Sequence, residues 1–184
     1  AAALAQAGGD ILIVAGYLDK GGKGVIQASL DAGSFKTFYL PDGMIGDSLP
    51  KAIGKDLNGS IGTVPGTDSP GAAKFNDLAK ANNLKAGPYT KESYDSAALI
   101  MLAMQAANST NSNDFKLKVM DVANAPGEKI YPGELAKGLK LLSEGKEIDY
   151  VGASAVELIG GGESAGNFAE ILIDNQKVTT VGYR

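Results

Sequence analysis

The sequence predicts an α/β protein built on a doubly wound, mostly parallel sheet. Three observations carry that expectation. Apolar, β-branched runs recur at residues 11–15, 37–40 and 61–64. Amphipathic segments with helical spacing lie between and after them. Turn residues stop each run: Gly16 after the first, Pro41-Asp42-Gly43 after the second, Pro65 after the third. Short apolar runs bounded in this way read as buried parallel strands. Their alternation with helices is the pattern of a doubly wound layer.

Taken in order, residues 1–7 read as a helix, with Gly8-Gly9-Asp10 breaking it before the first strand. The glycines at 16, 21, 22 and 24 make a turn, followed by a helix carrying Val25, Ile26 and Leu30. The middle of the chain is helical. Ser69-Pro70 opens one helix with proline at its first position, bearing Phe75 and Leu78. Thr90 opens a long one through Ala106. A third begins at Asn113, with Phe115, Val119 and Val122 on one stripe. A fourth begins at Pro132-Gly133-Glu134, with Leu135, Leu139 and Leu142 aligned, and stops at Gly145. The tail turns to strand: residues 155–159 precede a glycine cluster, and residues 168–173 and 177–181 flank Asp174-Asn175-Gln176 as a hairpin.

Composition narrows the function. The chain has 184 residues, enough for one large domain or two small lobes. Its formal net charge is -4 and no basic run occurs, which argues against nucleic acid as a partner. No apolar stretch approaches the roughly 18 residues of a membrane-spanning helix. Cysteine is absent, so thiol nucleophiles, thiolate metal sites and disulfides are excluded. Histidine is absent too, which removes the commonest general base and transition-metal ligand. No cofactor or metal site is expected, and no enzymatic activity. No signal peptide is visible, and the chain opens on Ala1 inside a helical segment, so it is expected to be a fragment.

Two motifs bear on chemistry. Gly162-Glu163-Ser164-Ala165-Gly166 fits the G-x-S-x-G pattern of serine hydrolases. That motif needs a strand, a sharp turn and a helix, plus a histidine to take the serine proton. The segment after it looks like a strand and no histidine exists, so a glycine-rich crossover loop is the better reading. The glycines from 16 to 24 superficially resemble a phosphate loop. Tyr17 stands where the first glycine is needed and Gly24 where the Ser/Thr is needed.

Four residues read as ligand contacts. Tyr17 follows the first strand and Asp42 follows the second, and ligand crevices of open α/β sheets lie outside the carboxyl ends of strands. Tyr89 and Tyr94, at the start of the long helix, could wall the same crevice. Each has a plainer alternative: Asp in a Pro-Asp-Gly turn serves the turn, and tyrosines near helix starts often only pack.

The stretches Gly9-Asp10-Ile11-Leu12-Ile13-Val14-Ala15-Gly16-Tyr17, Phe38-Tyr39-Leu40-Pro41-Asp42-Gly43, Gly59 to Pro65, and Gly87-Pro88-Tyr89 through Tyr94-Asp95-Ser96-Ala97 carry a family resemblance. In order and spacing they resemble the C-terminal half of the branched-chain amino-acid binding proteins of ABC importers, members of the type I periplasmic-binding-protein family. The resemblance implies two incomplete α/β lobes with helices on both sheet faces, hinged around a ligand. Residues 1–65 and 167–184 would belong to one (C-terminal) lobe and 66–166 to the other (N-terminal) lobe. It implies that Asp42 holds the ligand's ammonium, that Tyr17 contacts the ligand and that Tyr89 packs on its side chain. The family carries the longer Glu at the position of Asp42, so reach differs here. It implies a small-molecule amino acid and a membrane permease as partners, and a periplasmic location with a signal sequence upstream. A ligand-sensing domain of a receptor or regulator would have the same fold. Cutting such a fold in half leaves edges and apolar surface open, so self-association, most simply as a dimer, is expected.

Overall fold

The computed structural model describes residues 2–184; the part of the first helix expected at Ala1 lies outside them. The chain begins with α1 (Ala2–Ala7), β1 (Ile11–Ile13), α2 (Lys23–Asp31), β2 (Thr37–Leu40), α3 (Ser48–Ile53) and β3 (Ile61–Pro65). It continues with α4 (Pro70–Ala81), α5 (Thr90–Ala107), α6 (Ser112–Phe115), α7 (Val119–Ala123), β4 (Glu128–Ile130), α8 (Leu135–Ser143) and β5 (Ile148–Tyr150). It closes with β6 (Leu158–Gly160), β7 (Glu163–Ser164), β8 (Phe168–Asp174) and β9 (Lys177–Tyr183). Two compact units result: Ala1–Gly66 with Phe168–Arg184, and Thr67–Asn167.

The first unit is a five-stranded sheet in the order β1-β2-β3-β8-β9. The three expected strands are parallel neighbours, and the C-terminal hairpin joins β3 antiparallel. The hairpin turn sits where Asp174-Asn175-Gln176 places it, with Asn175 and Gln176 both in the left-handed region, the requirement of a tight two-residue hairpin turn. One face of this sheet is the core. Phe38 and Leu40 of β2 and Ala169, Ile171 and Ile173 of β8 are buried and pack with Ile26 of α2, Leu49 of α3, Met44 and Leu57. The period-2 pleat puts the intervening residues on the other face. There the register aligns Ile13, Tyr39, Ile61, Leu172 and Thr179 in one row across all five strands. Ile13 in that row is 66% exposed.

The second unit is mainly helical, around a short parallel pair, β4 and β5. α4 opens as its sequence requires: the Ser69 hydroxyl accepts the Ala72 N–H at 3.2 Å and Pro70 occupies the first turn. α5 buries Ala98, Leu99, Leu102 and Ala103 against Val122, Ile130, Ile148 and Tyr150. The helix expected from Asn113 is broken into α6, a 3-10 turn at Lys116–Lys118, and α7. The helix expected from Pro132 starts later, at Leu135, because residues 131–134 form a turn closed by the Glu134 N–H donating to the Tyr131 carbonyl at 3.0 Å.

One polar cluster ties this unit together. Asp95, 2% exposed, points from α5 to the segment after β5. Its carboxylate accepts from the Tyr150 hydroxyl at 2.8 Å, the Ala153 N–H at 2.8 Å, and the Ser154 N–H and hydroxyl at 2.7 and 2.6 Å. Burial, and then the neighbouring Asp95 carboxylate, push the Tyr150 phenol above its ordinary range. A raised folded-state pKa gives stability that is complete below the unfolded phenol value, about 10, and is lost as pH rises beyond it. Between pH 10 and 11.5 the unfolding free energy from urea titrations should therefore fall by up to about 1.4 kcal/mol per pH unit for this one group. A Tyr150→Phe variant, weaker at neutral pH, should lose that part of the slope. An unchanged slope in the variant would show that Tyr150 ionises normally.

Candidate functional site

The carboxyl ends of β1 and β2 bring Tyr17 and Asp42 together. Ala15, Gly16 and Tyr17 leave β1, Pro41, Asp42 and Gly43 leave β2, and these six residues line one hollow of about 280 Å³. The local chain explains why. Pro41 is extended and starts a 3-10 turn at Asp42–Met44, closed by the Met44 N–H on the Pro41 carbonyl at 2.8 Å. That turn buries Met44 in the core and leaves Asp42 half-buried at its start. Beside it, the Tyr17 carbonyl accepts from the Lys20 and Gly22 N–H groups, both at 3.1 Å. These bonds fix the turn into α2 and leave the Tyr17 ring 68% exposed.

Gly43 is the meeting point of the two turns. A Cβ there would lie 2.5 Å from the Gly16 carbonyl oxygen and 3.0 Å from Tyr17 Cδ1. The first distance is a collision with backbone, so only glycine allows the two strand ends this close. The Tyr17 ring consequently lies over bare backbone. Among the described residues, no side-chain hydrogen bond or ion pair engages the Asp42 carboxylate. The half-buried carboxylate keeps some contact with solvent. It is suited to a cationic group brought from outside.

Tyr89 and Tyr94 belong to the second unit. Tyr89 precedes α5 in the left-handed conformation, φ 63°, and is 41% exposed. That conformation is strained for a bulky side chain. It is held by Thr90, whose hydroxyl accepts the Gly87 N–H and donates to the Gly87 carbonyl, each at 2.8 Å. Tyr94 is engaged within its own unit. Its hydroxyl accepts the Gly133 N–H at 3.0 Å, and its ring meets Phe75 edge-on with centroids 5.3 Å apart. Tyr17 and Asp42 thus share a hollow, Tyr89 presents an exposed strained aromatic, and Tyr94 packs within its own unit, the plainer alternative that its place near a helix start offered. Asp95, which lies in the stretch that carries the resemblance but has no role assigned by it, is the buried carboxylate that shapes this end of the unit.

The G-x-S-x-G segment lacks the geometry of a nucleophile elbow. Ser164 sits in β7, paired antiparallel with β6, and the chain proceeds to another strand rather than a helix. A separate cleft of about 430 Å³, at the amino ends of β4 and β5, is floored by Val122 and Ile148. Its lysines are already paired, Lys118 with Asp121 at 3.0 Å and Lys146 with Glu144 at 2.7 Å.

No family model matches the chain, and no curated protein sequence matches it. Solved structures do resemble it. The leucine binding protein LivK of Thermotoga maritima MSB8 superposes with a TM-score of 0.68 at 16% identity, covering 95% of this chain and 44% of that one. An extracellular ligand-binding receptor of Rhodopseudomonas palustris HaA2 gives 0.59 at 13% identity, covering 98% of this chain and 50% of that one. At these identities the likeness shows the fold, which is that of the type I periplasmic binding proteins. The chain spans about half the length of each neighbour.

Proposed function

We propose that this chain is part of the substrate-binding component of an ABC importer for branched-chain or related amino acids. Its two units would be parts of the two lobes that close on the ligand, working outside the cytoplasm with a membrane permease as partner. The observation that carries the proposal is the unpartnered Asp42 carboxylate beside the exposed Tyr17 ring, at the carboxyl ends of adjacent parallel strands. Asp42 would take the ligand's ammonium, Tyr17 would cover it, and Tyr89 would pack on the ligand side chain. Tyr94 would act from behind, by fixing the start of α5. The structural neighbours, a leucine binding protein and an extracellular ligand-binding receptor, support this reading. In a receptor or regulator the same site would serve sensing, and a fused output domain would mark that case.

The test is calorimetry on a protein that joins this chain to the rest of the fold. Asp42→Ala is expected to weaken binding of its amino acid by about 2 kcal/mol or more, the scale of removing one partner of a buried charge pair. Unchanged affinity would remove Asp42 from the site. The 184-residue chain alone should bind leucine weakly or not at all, because the resemblance places the groups for an α-carboxylate in the half of the fold that the chain does not span.

Self-association belongs to the same reading. The row Ile13, Tyr39, Ile61, Leu172 carries no charge that would oppose itself across a two-fold axis, and it adjoins the free edge of β1. Exposed apolar surface with an open edge favours pairing with a second copy. Light scattering at micromolar concentration should report a dimer, and Ile13→Lys should return a monomer. A wild-type monomer would refute this.

A further inference from the structure

The loop after β1 (residues 16–22) and the loop after β2 (residues 41–46) meet at three glycines. Gly43 faces the Gly16 carbonyl and the Tyr17 ring. At Gly46 a Cβ would lie 2.9 Å from Leu18 Cδ1. At Gly22 a Cβ would collide with Met44 Sδ, lie 2.7 Å from its Cε and 2.8 Å from the Tyr17 carbonyl oxygen. Gly22 has φ -57° and ψ -42°, ordinary helical values. Its backbone conformation would suit any L-residue. The thioether of Met44 and the Tyr17 carbonyl are what leave no room for one.

Met44 is wholly buried, and its two halves act on opposite walls of the hollow. Its N–H donates to the Pro41 carbonyl and so closes the turn that presents Asp42. Its side chain reaches across to Gly22, whose N–H donates to the Tyr17 carbonyl and so sets where Tyr17 stands. Neither Met44 nor Gly22 lines the hollow itself.

We infer that Met44 is a positioning residue of the proposed amine site, a wedge seated on Gly22 that locks the Asp42 turn and the Tyr17 turn into one rigid piece. An unbranched, polarizable side chain suits an irregular gap of this kind. Without the wedge each turn keeps its own hydrogen bonds, and the separation of carboxylate and ring rests on the contacts at Gly43 and Gly46 alone. A binding constellation needs such separations held to about 0.5 Å. The inference rests on the reading of Asp42 and Tyr17 as ligand contacts, and adds the residues that hold them in place.

Nuclear magnetic resonance on the 184-residue chain tests it without a ligand. The Tyr17 ring protons should show a nuclear Overhauser contact to the Gly43 α-protons, because a Cβ at Gly43 would lie 3.0 Å from Tyr17 Cδ1. Met44→Ala should lose that contact while the amides of β9 and of the second unit stay close to their wild-type positions. Met44→Leu, a volume-conserving swap, should keep it. Gly22→Ala presses on the wedge from the other side and should also lose it, which decides the matter if Met44→Ala unfolds the first unit. A contact that persists in either folded alanine variant would overturn the inference. In the protein joined to the rest of the fold, calorimetry with leucine should show binding about ten-fold weaker for Met44→Ala, part of what one charge-assisted hydrogen bond contributes, and near wild type for Met44→Leu. Equal affinity of Met44→Ala and wild type would overturn the positioning role. Equal affinity of Asp42→Ala and wild type would instead sink the reading of Asp42, and the resonance result on Met44 would stand apart from it.

Discussion

Alanine in place of Asp95 is expected to unfold most of the second unit. The carboxylate is the acceptor for the Tyr150 hydroxyl, the Ala153 and Ser154 N–H groups and the Ser154 hydroxyl, all in a region almost closed to water. Removing it strands the buried donors, and each unsatisfied group costs about 1–3 kcal/mol. Two or three such losses come to about 4 kcal/mol or more, a large part of the stability of a small domain. Thermal unfolding followed by circular dichroism should show a separate, much lower transition for this unit. Asp95→Asn should fall between, because its amide must turn one NH₂ group toward donors that already point inward. A melting temperature within a few degrees of wild type would mean that water can replace the carboxylate.

Gly71→Ala should damage the same region by a different route. A Cβ at Gly71 would lie 1.8 Å from the Gly152 carbonyl oxygen. The first turn of α4 therefore touches the backbone of the segment that Asp95 anchors. Backbone cannot swing aside as a side-chain tip can, so the helix must shift, at a cost of roughly 1–3 kcal/mol or more. The shift should carry Ser69 away from the Ala72 N–H and disturb the packing of Phe75 on Tyr94. Chemical denaturation should give a lower midpoint with an unchanged slope. A midpoint equal to wild type would show that this approach is looser than the geometry states.

The sequence revealed the first unit better than the second, for reasons visible in particular residues. β1, β2 and β3 are apolar, β-branched or aromatic and end at glycine or proline, so composition and punctuation agree. The hairpin of β8 and β9 was marked by Asp174-Asn175-Gln176. β4 (Glu128-Lys129-Ile130) and β5 (Ile148-Asp149-Tyr150) are three residues long and partly charged, so no run or alternation distinguishes them from loop. α3 was hidden by Pro50 inside it. The break between α6 and α7 falls at Lys116–Lys118, within a stripe whose spacing alone reads as continuous. At the site, Tyr17 and Asp42 were legible because strand ends are. The contact at Gly43 was not, since it depends on two turns meeting in space. The engagement of Tyr94 needs Gly133, 39 residues away, and the cluster on Asp95 needs partners 55 to 59 residues away. Local patterns cannot carry contacts of that range.

The ammonium of a bound ligand is the atom whose position matters most. A crystal structure of the chain, joined to the remainder of the fold and soaked with leucine or a related amino acid, locates it directly. The nitrogen is expected at about 2.8 Å from a carboxylate oxygen of Asp42, a charge-assisted hydrogen bond, with the Tyr17 ring in contact above it. A ligand bound elsewhere, with Asp42 still facing solvent and unpaired, would contradict the proposed site.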